Sequence, residues 1–138
     1  MTIDALSPQD ALVAVMVATS ASDQNMTDSE LVSITSIIDI LPAFEDYDAD
    51  RIATVSNMVG DLFEEEDGLD ALIGLVEQAL PNHLRETAYA LACDVAAADA
   101  HASQEELRLL ELLQDQLDVG ALEIAAIERG ARARHTVL

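Results

Sequence analysis

The stretch that decides the fold occurs twice: Asp23-Gln24-Asn25-Met26-Thr27-Asp28-Ser29-Glu30-Leu31 and, 76 residues on, Asp99-Ala100-His101-Ala102-Ser103-Gln104-Glu105-Glu106-Leu107. In each copy an alanine-containing segment runs into an aspartate, three residues intervene, a hydroxyl residue follows, and Glu-Leu closes the unit. A serine or threonine at a helix start accepts a backbone N–H, and a glutamate three residues later reaches back to the cap. Each copy therefore reads as the entry to a helix behind a tight acidic turn. The duplication predicts two related helix-turn-helix halves packed about a pseudo-twofold axis.

Outward from these units, the remaining helices follow from caps, breakers and apolar spacing. Ser7-Pro8 is a cap with proline in the first turn, opening a helix over about Pro8 to Ser22 whose apolar stripe is Leu12, Val13, Met16 and Val17. The helix after Thr27 carries Leu31, Ile34, Ile37, Ile38 and Leu41 until Pro42 stops it. Acidic residues Glu45 to Asp50 lead into a third helix on Ile52, Val55, Val59, Leu62 and Phe63. Asp67-Gly68 breaks the chain before a fourth helix on Leu69, Leu72, Ile73, Val76 and Leu80. Pro81-Asn82 opens a fifth that ends near Ala98, Ser103 caps a sixth, and Gly120 precedes a seventh. Short connections and the lack of a linker predict one all-α domain over residues 1–138, an α bundle of about seven helices with its core at about 8–132.

Composition narrows what such a domain binds. The 138 residues hold 27 acids against six basic residues, all of them Arg, for a net charge of −21. A nucleic-acid backbone or an anionic lipid surface is held by clustered Lys and Arg, so nucleic acid and membrane surfaces are excluded as direct partners. Proteins remain, as other chains or as further copies of this one in a homo-oligomer. With 51% hydrophobic residues the chain is too apolar to be an acidic disordered segment. Cys93 is the sole cysteine, which rules out an intrachain disulfide and predicts a reducing, cytoplasmic setting. The apolar run Ala11 to Ala18 is far shorter than the roughly 20 residues of a membrane span, and no basic segment precedes it as in a secretory signal. Three of the six arginines, Arg129, Arg132 and Arg134, fall in the last ten positions. They complement a helix C-terminus or form a docking segment for an acidic partner.

Most acids of the two turns have a structural role. Thr27 and Ser103 cap, Glu30 and Glu106 complete the capping boxes, and Asp28 and Glu105 face the positive helix end. Asp23 and Asp99 are not accounted for in this way. Each either forms a local turn or joins the glutamate seven residues on in an oxygen-only site for a hard cation, Ca²⁺ or Mg²⁺. The second copy is better equipped, with Asp94 on the helix leading into it and His101 in the turn. Asp46-Tyr47-Asp48-Ala49-Asp50 imitates the start of an EF loop, but Arg51 and Asn57 stand where that loop requires Gly and Glu. It is a solvated helix start. Glu64-Glu65-Glu66-Asp67 reads as a loop or a cation-attracting patch, and Cys93, without a base beside it, as a small buried hydrophobe.

The paired pattern Ala-Ser-Asp-x-x-x-Thr-x-x-Glu-Leu at Ala21 to Leu31 and Ala-Ala-Ala-Asp-x-x-x-Ser-x-Glu-Glu-Leu at Ala96 to Leu107 resembles the TerB-like tellurite-resistance family. Cys93-Asp94-Val95-Ala96-Ala97-Ala98-Asp99 is the more specific part, and the likeness spans about Pro8 to Arg132. The resemblance implies an all-helical fold of two halves, metal binding by acids at the two turns, and a cytoplasmic role in stress-linked protein complexes near the inner membrane, without established catalysis. The acids that match position by position are Asp23, Glu30, Asp94, Asp99 and Glu106. Where the family often has Gly after the key aspartate this chain has Gln24 and Ala100, which narrows the turn's access to positive φ. Three functional classes follow, in this order: a non-enzymatic module that binds a divalent cation and docks on protein partners, a structural interaction domain with no metal site, and a hydrolase using Asp94 and Asp99 as paired carboxylates.

Overall fold

A computed structural model describes residues 6–21, 28–98 and 103–138. Seven α-helices follow one another: α1 Pro8–Ala21, α2 Asp28–Ile40, α3 Arg51–Phe63, α4 Gly68–Ala79, α5 Arg85–Ala98, α6 Gln104–Gln116 and α7 Ala121–Arg134. Short 3₁₀ turns at Pro42–Phe44 and Asn82–Leu84 follow the two prolines that end α2 and α4. There is no strand among the described residues, so the expected all-α architecture stands.

The axis of the bundle is α1. Every residue from Ala11 to Ala18 is at most 3% exposed, and Thr19 and Ser20 are buried too. The expected stripe on one face is thus too narrow: Ala11, Ala14, Val15 and Ala18 on the other sides are covered as well. The physical reason is plain in the run itself, which has no charged residue to require water, and a helix that is apolar all round belongs inside. Each buried Leu, Val or Met here contributes roughly 1.5–3 kcal/mol over exposure. The Thr19 hydroxyl is satisfied within the helix, donating to the Val15 carbonyl at 2.8 Å.

Around this axis α2, α3, α4, α5 and α6 all pack on α1, and α7 packs on α5. The main partner of α1 is α5, through its buried Ala88, Leu91, Ala92 and Val95. The two predicted halves are visible in the contacts. In one, α1 is flanked by α2 and α3; in the other, α5 is flanked by α6 and α7. The connection from α3 to α4 is tight because Gly68 starts α4 against α3, where a Cβ would overlap the Leu62 carbonyl oxygen.

Among the described residues two acids are buried, Asp10 and Glu106, and Asp10 is the one in α1. Asp10, 5% exposed in the first turn of α1, accepts from Arg51 Nη2 at 2.7 Å and from the Tyr47 hydroxyl at 2.9 Å. Its backbone N–H donates to Ser7 Oγ at 3.0 Å, which is the predicted cap. Beside it, Gln9 Nε2 donates to the Ala43 and Glu45 carbonyls at 3.1 and 3.0 Å. These bonds strap the segment between α2 and α3 across the start of α1. Within that segment Asp46 adopts φ 63°, which aspartate tolerates, and Asp48 accepts from the Asp50 N–H at 2.9 Å as a local turn, not a calcium loop.

Burial opposes the charge on Asp10, but the Arg51 and Tyr47 bonds outweigh it and hold the carboxyl below its ordinary value. A carboxyl depressed in the folded state contributes stability above the unfolded pKa, near 4, and loses it as the pH falls through the folded value. Asp10→Asn is therefore expected to cost about 1–3 kcal/mol in urea unfolding at neutral pH. The gap to wild type should close as the pH drops below about 4. A gap that is absent at neutral pH, or constant down to the acid limit, would contradict this.

Candidate functional site

The acidic units are built on the helix ends expected of them. Ser103 caps α6, its Oγ accepting from the Glu106 N–H at 3.1 Å. Glu106 is 2% exposed and Glu30, its counterpart in the first turn of α2, is half-buried. A carboxylate in the first turn is favoured by the positive end of the helix dipole, which accounts for the placement of both. Asp23 and Asp99 lie outside the described residues, as do Thr27 and His101.

Asp94, half-buried near the end of α5, already faces a cation of the chain's own. Arg134, in the last turn of α7, donates to Asp94 Oδ1 from Nη2 at 2.6 Å and from Nε at 3.2 Å, and His135 Nε2 lies 3.6 Å from the same oxygen. Arg132 and Arg134 do occupy the last turn of α7, as dipole complementarity requires. Arg134 adds a specific partner that periodicity did not reveal. Together with Asp10 and Arg51 it makes a pattern: in each half one Asp–Arg pair joins the first helix to the third, α1 to α3 and α5 to α7. The separations along the chain are nearly equal, 41 and 40 residues, but the 76-residue repeat does not superpose the pairs, since it carries Asp10 onto Glu86 and Arg51 onto Ile127.

Among the described residues no group of three or more His, Cys, Asp or Glu side chains is placed to hold a metal ion. Of the acids singled out in the sequence, Asp94 lies near the end of α5, Glu106 in the first turn of α6 and Glu30 in the first turn of α2. Carboxylate oxygens are the donors that hard cations such as Ca²⁺ and Mg²⁺ take. A cation at Asp94 has to share or replace the Arg134 guanidinium.

Other conspicuous residues are structural. Cys93 is buried, and burial pushes its thiol up to about 11, leaving it protonated and unreactive at neutral pH. Glu64 to Asp67 form an exposed turn between α3 and α4, and His83 is exposed in the 3₁₀ turn before α5. No helix among the described residues is long and apolar enough to cross a membrane.

The family model described as tellurite resistance protein TerB matches residues 9–129. Comparison with curated proteins and with solved structures gives no match.

The cap geometry leads to a direct test. Ser103→Ala removes the acceptor for the Glu106 N–H and should lower stability by about 1 kcal/mol in chemical unfolding. A variant as stable as wild type would mean that the first turn of α6 does not depend on its cap.

Proposed function

The chain belongs to the tellurite resistance protein TerB family, and on that premise we propose that it is a non-enzymatic helical module whose acidic turns bind a divalent cation and which docks on protein partners in a stress response. The observation that carries this reading is Glu106: a carboxylate 2% exposed, at the start of α6 behind a serine cap, seven residues after Asp99 in the sequence. Burial of a carboxylate costs free energy unless charge or hydrogen bonds compensate it, and a cation shared with Asp94 and Asp99 would add such compensation. Glu106, Asp94 and Asp99 would hold the cation in the second half, Glu30 and Asp23 in the first. The cation would supply positive charge to a chain of net −21, drawing together carboxylates that otherwise repel.

A second reading, a structural domain in which these acids only cap and clasp, is favoured by the Asp94–Arg134 pair, since that carboxylate has a partner without any metal. Calorimetric titration of metal-free protein with CaCl₂ and with MgCl₂ separates the two. Under the proposal one of the cations gives a saturable heat and raises the melting temperature, and Asp99→Asn with Glu106→Gln abolishes both effects. Binding at one hundred times Kd corresponds to about 2.7 kcal/mol of added stability. No heat and an unchanged melting temperature at millimolar metal would leave the structural reading.

A further inference from the structure

Beside the second acidic unit, α5, α6 and α7 border a groove of about 570 Å³. That lies within the roughly 300–1,000 Å³ of small-molecule sites. Its two ends differ. At one, the Tyr89 hydroxyl accepts from Gln114 Nε2 at 2.7 Å and points to Glu128 Oε2 at 3.4 Å, so three helices each supply one polar group. Tyr89 itself is fully buried, and Glu111, one turn from Gln114 on α6, also lines the groove. The 3.4 Å approach is long for an O–H···O bond, and it leaves the Glu128 carboxylate with acceptor capacity toward the groove. Toward the other end α5 and α6 supply apolar lining, Ala96, Ala97, Leu107 and Leu110, while the α7 side adds Ala131 together with the polar Arg132, His135 and Thr136. Leu107 is 44% exposed there, a large apolar side chain left uncovered.

We propose that this groove binds an amphipathic organic ammonium ion, a monoamine whose head sits at Glu128 and Tyr89 and whose alkyl tail lies along Ala96, Ala97, Leu107 and Leu110. Charge sets the direction. Arg132, one turn beyond Glu128 on α7, and His135, just past the end of α7, line the groove and disfavour a cationic head at that end. From Tyr89 to Ala97 the groove floor follows α5 for roughly 12 Å at 1.5 Å per residue, room for a short tail. The net charge of −21 raises the local concentration of any cation, and this groove couples a carboxylate to an apolar slot. The site uses none of the five acids of the metal reading as a ligand, although Ala96, Ala97 and Leu107 at its apolar end belong to the second acidic unit.

The probe is protonated n-octylamine, compared with n-octanol and octanoate, followed by methyl NMR of the full chain and by calorimetry. Octylammonium should saturate shifts at Ala96, Ala97, Leu107 and Leu110, with octanol weaker and octanoate weakest. Glu128→Gln should weaken octylammonium roughly tenfold, as expected for a hydrogen bond to a charged group, and leave octanol unchanged. The control Glu64→Gln removes the same charge from the exposed turn after α3 and should change neither. Ala97→Phe, which fills the slot, should abolish binding of both while the melting curve confirms a folded chain; should it not fold, Glu128→Gln decides. Equal binding of octanoate, equal weakening by Glu64→Gln and Glu128→Gln, no saturable shift, or shifts confined to the exposed Leu31, Val32 and Ile40 of α2 would each overturn the assignment.

Discussion

The rest of the structure depends on the burial of α1 on all sides. A chain with 27 acids and six arginines folds only if its charge can be kept on the outside, and here one helix provides an uncharged axis on which five others pack. The single acid admitted to that helix, Asp10, sits in its first turn, where the dipole favours a carboxylate and where Arg51 and Tyr47 can reach it. Breaking such a pair leaves a buried charge without compensation, so the start of α1 and the segment before α3 stand or fall together.

The same device recurs in the other half with a different consequence. Asp94 binds Arg134 and ties the end of α7 to the end of α5, yet Asp94 is also one of the acids by which the chain resembles TerB proteins. A structural clasp and a cation ligand make opposite demands on one carboxylate: the clasp needs it occupied by a guanidinium, the ligand needs it open. The difference in exposure fits this division. The two guanidiniums are similarly exposed, 48% for Arg51 and 56% for Arg134, but the Asp10 side chain is 6% exposed and the Asp94 side chain 21%, so the second carboxylate is the more accessible to solvent ions.

Most helix boundaries were legible because they are set by local chemistry: Pro42, Gly68, Pro81, Ser103 and Gly120 stop or start helices wherever they occur. The depth of α1 was less legible, since three- and four-residue spacing within a fully apolar run suggests a stripe when every side is covered. The Asp10 cluster was illegible, because a lone acid before an apolar helix looks like a solvated first-turn residue and its partners lie 37 and 41 residues away. For the same reason the groove escaped notice: Tyr89, Gln114 and Glu128 sit on three helices, and nothing in their local sequence marks them as neighbours. Of the candidate site, the cap of α6 and the acid content of both turns were readable, but the commitment of Asp94 to Arg134 required the packing of α7 on α5.

The decisive measurement is the side-chain Nε–H signal of Arg134 in ¹⁵N NMR, recorded on metal-free protein and again with saturating Ca²⁺ or Mg²⁺. Metal-free, the signal should be that of a guanidinium held by a carboxylate and slow to exchange with water. On loading, it should move to the position of a solvated arginine as the cation takes the Asp94 oxygen, with the Arg51 signal unchanged as internal reference. An Arg134 signal indifferent to a cation that binds, or already solvated before any is added, would contradict the assignment of one carboxylate to both roles.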